Sequence, residues 1–222
     1  MKKTKSDHAL AFFRAGISSV PVVGGPIASL IGDYVPFTTE RSREKTLELL
    51  KRKLKHLEDR IDPGAVNKDE FAELFKTSYL IIIRTHQEKK LNAAAALIAN
   101  ILLKEGDPEK LSYTELDHFA RCLDTLSIGA IEVLGHAVDI AKQEKPEEYR
   151  SQSVRFDFDR FQGRMPGMDA SLLMGLVGEL NSTNLLHLAG APQIPTEGYA
   201  NYPIQLTPLG VRFCEYLLEN KP

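Results

Sequence analysis

The sequence has no tryptophan and only two cysteines, Cys122 and Cys214, which lie far apart and form no CxxC pair. That spacing excludes a disulfide framework and suits buried free thiols in a reducing compartment. Equally missing are GxxxxGK, GxGxxG, GxSxG and HExxH, so nucleotide hydrolysis, dinucleotide binding, serine hydrolysis and zincin chemistry have no support. The expectation is a protein that is not an enzyme, with no catalytic residue, no cofactor and no resident metal. There is no large excess of charge either: the formal net charge is −2, which gives the molecule as a whole no attraction for polyanions.

Two hundred and twenty-two residues at 43% hydrophobic composition are enough for a genuine core. The charge is unevenly divided. Residues 1–60 hold 12 Lys/Arg against 7 Asp/Glu, while residues 61–222 hold 16 against 23, so only the amino-terminal quarter suits an anionic partner. Lys2, Lys3 and Lys5 precede an apolar run, but Arg14 interrupts it and no small-residue cleavage pattern closes it. Cytoplasmic residence is expected, with peripheral contact at the inner face of the membrane.

Residues 15–32, AGISSVPVVGGPIASLIG, carry no charge yet contain Pro21, Pro26, Gly16, Gly24, Gly25 and Gly32. Such chemistry breaks a helix, so a short helical piece at residues 8–19, a break at 21–26 and a second piece to about residue 34 are expected. The apolar side chains and glycines of Val20, Val22, Val23, Gly24, Gly25, Ile27, Leu30 and Ile31 then form a membrane or assembly segment. Burial against the bundle or a second copy is favoured over lipid, where Pro and Gly leave backbone groups unpaired.

The stretch ERSREKTLELLKRKLKHLEDRI places Leu47, Leu50, Leu54, Leu57 and Ile61 on one helical stripe, with Lys51, Lys53 and Lys55 off it as a basic surface. Asp62, Pro63 and Gly64 stop the helix. Further helices are expected over residues 69–85, over the alanine-rich 91–103, and after the capping box of Ser112 and Glu115 with its staple of Leu111 and Leu116. Ser127 caps the next through Ile128, Ile131, Leu134 and Val138. The fold class is mainly α: a segment at 1–40, a helical bundle at 41–125, and a module at 126–222 with one small antiparallel hairpin.

In that last module RFDFDRFQGRMPG alternates phenylalanine with charge, reading as a short strand or irregular connection. Asp169 caps a helix over Leu172, Leu173, Leu176, Val177 and Leu180. Runs at 185–188 and 204–206 flank a Pro/Gly-rich stretch as a hairpin, and Thr207 with Pro208 opens a final helix with Leu209, Phe213 and Leu217 inward. This order, ending in LTPLGVRFCEYL, resembles a winged-helix domain over residues 126–219. In DNA-binding members the helix before the wing enters the major groove. Here residues 165–211 contain no Lys or Arg, so protein contact is expected there rather than nucleic acid.

Three smaller constellations have plainer readings. Asp157 and Asp159 on one strand face could hold a divalent metal, but a solvated face is the simpler account. His118 and Cys122 stand four apart like half a zinc site, and without a second pair they read as an imidazole and a buried thiol. Arg155, Phe156, Phe158, Arg160, Phe161 and Arg164 could stack on single-stranded bases, or be core phenylalanines among surface charges.

VPVVGGPIASLIGDYVP, the charged helix, KKLNAAAALIANILL and LSYTELDHFARCLDTLSIGAIEVL together are similar to the layout of bacterial abortive-infection alpha-type proteins over residues 10–140. The resemblance implies a role in phage defence or a related stress response and carries no enzymatic residues. The function expected is therefore a non-enzymatic interaction or effector protein. Its partners would be a protein or further copies of itself, with an anionic membrane surface as a further partner and no small-molecule substrate. The alternative is a winged-helix regulator that binds nucleic acid through the basic helix around Lys51, Lys53 and Lys55.

Overall fold

The computed structural model describes residues 40–64, 66–85, 87–188 and 202–218, the side chains of residues 40–47, 83, 217 and 218 excepted. The expected apolar segment from Val20 to Ile31 lies outside the described residues. The architecture is mainly helical with one small antiparallel sheet, and the chain divides into two compact units between Asp124 and Thr125. No helix among the described residues is long and apolar enough to cross a membrane.

In the amino-terminal unit, helices α1 (Glu40–His56), α2 (Lys68–Arg84) and α3 (Glu88–Ile101) pack together, followed by α4 (Tyr113–Thr125). Every residue of α3 from Leu91 to Ile101 is buried, because its alanines let neighbouring helices approach on all sides. α1 contributes Leu50 and Leu54. α2 contributes a ladder of Phe71, Phe75 and Tyr79, whose rings stack at 5.8 and 6.1 Å.

The expected stripe does not reach Ile61 as helix. α1 ends at His56, a 3-10 turn covers Glu58–Arg60, and Ile61 bridges to Leu103 as extended chain. Asp62 N–H donates to Leu102 C=O and Lys104 N–H to Arg60 C=O, both at 2.9 Å, so long-range pairing replaces the last helical turn. Arg60 then forks onto Asp107 and Glu109 at 2.6 and 2.9 Å. Buried Asn100 closes the same loop, donating to Glu109 C=O at 2.8 Å and accepting from Leu111 N–H at 2.9 Å. Ser112 Oγ accepts from Glu115 N–H at 3.3 Å, as expected of the N-cap.

The carboxyl-terminal unit runs α5 (Ile128–Glu144), β1 (Val154–Asp157), α6 (Phe158–Gly163), α7 (Ala170–Ser182), β2 (Leu186–Leu188), β3 (Pro203–Leu206) and α8 (Pro208–Phe213), with a π-helical turn at Cys214–Leu218. β2 and β3 form the expected hairpin. β1 adds a third strand, and β3 lies in the middle, so the order is β1-β3-β2. Val154, Phe156, Leu186, Ile204 and Leu206 are buried beneath the sheet, and α5 packs against α7, β3 and the final helix.

The final helix meets expectation at Phe213, which is buried, and departs from it at Leu209, which is only half-buried while Gly210 and Val211 turn inward. The side chain of Leu217 lies outside those described. Gly210 sits so close to β2 that a Cβ there would lie 2.2 Å from Leu185 O. Thr207 holds the approach: its Oγ accepts from Gly210 N–H at 2.9 Å and lies 2.9 and 3.0 Å from the carbonyl oxygens of Asn184 and Leu185. The Leu-Thr-Pro-x-Gly run is thus a cap and a close backbone contact in one.

Candidate interaction surface

α7 is the helix that a winged-helix arrangement would present to a partner. Leu173, Leu176, Val177 and Leu180 face the core. Ser171, Leu172, Gly175 and Ser182 are exposed, and Leu172, at 56% exposure, is the one exposed large hydrophobic side chain among the described residues. A Cβ at Gly175 or Gly178 would meet nothing within 4 Å, so no contact among the described residues requires glycine at either position.

Both acids of this helix are engaged internally. Asp169 caps it, accepting from Ser171 and Leu172 N–H at 2.9 and 3.2 Å. Glu179 reaches the start of α5, where its carboxylate accepts from the N–H of Ser127 at 2.8 Å and from the Ser127 hydroxyl at 3.1 Å. Ser127 Oγ in turn accepts from Ala130 N–H at 3.1 Å, the expected cap. What remains outward is a short uncharged surface.

The phenylalanine-charge alternation ends sooner than a strand would. Phe156, Phe158 and Phe161 are buried, with Phe156 and Phe161 stacked at 5.2 Å, so they cannot stack on bases. At Phe158 the chain turns into α6, which corrects the expected pairing of Asp157 and Asp159: one ends a strand and the other lies in a helix, so they share no strand face. His118 Nε2 lies 3.5 Å from Cys122 Sγ, a consequence of i and i+4 on α4. No group of three or more His, Cys, Asp or Glu is placed to hold a metal among the described residues.

The basic surface of α1 differs in composition from the expected triplet. Lys55 is exposed, Lys51 and Lys53 are half-buried, and Arg52 and His56 share the exposed face. Burial, reinforced by the charge of Arg52, pulls the Lys53 ammonium below the usual lysine range. A groove of about 430 Å³ in the same unit is lined in part by Glu70, Glu105, Asp107, Lys110 and Tyr113. Most of these groups are tied within the unit: Lys110 to Glu105 at 2.8 Å, Asp107 to Arg60, and the Tyr113 hydroxyl to Glu73 at 2.9 Å.

Sequence reasoning did not find Glu215, which is 8% exposed and accepts from the Tyr149 hydroxyl and Arg150 Nε, each at 2.9 Å. Burial first, then that hydrogen bond, pushes the Tyr149 phenol up. The only local signal is a glutamate inside the apolar run FCEYLL. No protein-family model, curated protein or solved structure matches the chain.

Proposed function

We propose that this chain is a non-enzymatic interaction protein whose carboxyl-terminal unit is a winged-helix-like module that offers α7 to another protein rather than to DNA. The connectivity helix, strand, helix, helix, strand, strand, helix, with the last strand in the middle of the sheet, supports the winged-helix reading. The observation that carries the choice of partner is the outward face of α7: Leu172 stands exposed, both acids are engaged, and no cation lies between residues 165 and 211. Phosphate neutralisation needs Lys or Arg on the docking element. The role proposed is in phage defence, a reading supported by the resemblance of residues 10–140 to abortive-infection alpha-type proteins, with the apolar amino-terminal segment serving assembly or contact with an anionic membrane.

Filter binding of the full chain to duplex DNA across a salt titration tests the choice. Weak, nonspecific retention is expected. Submicromolar affinity at physiological salt that falls steeply as salt rises would favour the regulator instead, and charge reversal at Arg52 and Lys55 would then show whether α1 is the contact.

A further inference from the structure

β1 is an edge strand among the described residues, and its backbone pattern shows which groups the edge offers. Phe158 N–H donates to Tyr202 C=O at 3.0 Å, continuing the register that opposes Phe156 to Ile204 and Val154 to Leu206. Hydrogen-bonded positions alternate in an antiparallel ladder, so Val154 and Phe156 bond inward to β3, and the N–H groups of Arg155 and Asp157 point to the open edge. Both residues are exposed, and among the described residues neither side chain has an ion pair or hydrogen bond. Arg155 is conspicuous in this. Lys145, Arg150, Arg160 and Arg164 are engaged by Glu148, Glu215, Glu144 and Gln143, and Lys142 and Arg212 also have partners.

We infer that a second copy of this chain pairs antiparallel with β1 about a two-fold axis at Phe156, opposing Arg155 of each copy to Asp157 of the other. The parity fits: residues 155 and 157 are the outward-bonding positions, so they are the ones that would form hydrogen-bonded pairs, and their side chains then stand on the same face. The charges fit too. Arg-Phe-Asp is self-complementary under this rotation, giving two cross-strand ion pairs from one short motif, as an isologous interface requires. Extending a three-stranded sheet to six across the axis removes its unpaired edge at β1. The inference deepens the self-assembly part of the proposed function and does not depend on what α7 binds.

Sedimentation equilibrium of the full chain over a range of concentration and salt is the test. A monomer–dimer equilibrium that weakens with salt is expected. Arg155→Asp and Asp157→Arg should each weaken it roughly tenfold or more, since like charges then oppose each other across the axis. Mixing these two variants should restore dimers, because every opposed pair in the mixed species is again of opposite sign, and the double exchange should restore the homodimer. Recovery in the mixture also shows that both variants are folded. If either reversal disturbs folding, Arg155→Gln reads the same contact and should weaken the dimer. A wild-type chain that stays monomeric, or a dimer indifferent to these substitutions, overturns the inference and leaves the α7 proposal standing, since that is read by DNA binding.

Discussion

Glu179 lies on α7 and Ser127 at the start of α5, 52 positions apart, and the carboxylate of the first accepts from both the backbone N–H, at 2.8 Å, and the hydroxyl of the second. The charge of Glu179 therefore answers the positive end of α5 instead of facing a partner. Glu179→Ala should lower unfolding stability by about 2 kcal/mol, and Glu179→Gln by less, because the amide oxygen can still accept. Urea denaturation of the two variants measures the difference; equal stability to wild type would show that the contact does not hold the helices together.

Two helical glycines should respond in opposite directions to the same substitution. Gly210→Ala drives a Cβ to 2.2 Å from a backbone oxygen and should destabilise by about 2 kcal/mol or more, since neither backbone can yield cheaply. Gly175→Ala meets open space within an exposed helical turn and should stabilise by up to about 1 kcal/mol. Thermal melts of both variants check the pair.

The Arg60 fork makes the amino-terminal unit sensitive to acid. Hydrogen bonds from Arg60 hold the Asp107 carboxyl below its ordinary value of 3.8. A depressed folded pKa gives stability that is present above the unfolded value and lost as pH falls through the folded one. Asp107→Asn should thus cost about 2 kcal/mol near neutrality, with the deficit shrinking as pH drops below 3.8. Denaturation midpoints against pH should converge for the two proteins at the acid end; parallel curves would rule the linkage out.

Contact with anionic vesicles is expected to depend on the exposed cations of α1. Arg52→Glu and Lys55→Glu should each weaken cosedimentation by about 1 kcal/mol, whereas half-buried Lys53 should matter more for stability than for binding. Deleting residues 1–37 should abolish vesicle binding and any toxicity on overproduction while preserving most of the helical spectrum. A truncated chain that still binds and acts like the full one refutes the role given to that segment.

The helical character, the order of elements and several caps were legible because they are local. Leu50 and Leu54 recur at helical spacing, and Ser127, Asp169 and Thr207 each accept from N–H groups two or three residues on. Where local pattern misled, long-range pairing had won. Ile61 continues a perfect stripe, yet Leu102, Leu103 and Lys104 draw its segment out of the helix. The alternation at residues 155–159 reads as one strand, yet burial of both Phe158 and Phe161 favours a helical turn there.

By itself the sequence determined that the protein is mostly helical, where its capped helices begin, and that the region around α7 carries no cation, since composition and caps act within a few residues of chain. Only the tertiary structure decided that β1 joins the hairpin at its open edge, that Glu179 is committed to Ser127, that Glu215 gathers Tyr149 and Arg150, and that Arg155 and Asp157 stand together with no partner among the described residues. Each of these depends on which distant segment comes to lie beside it, and a hydrogen bond or a shared strand edge between residues tens of positions apart leaves no periodicity to read.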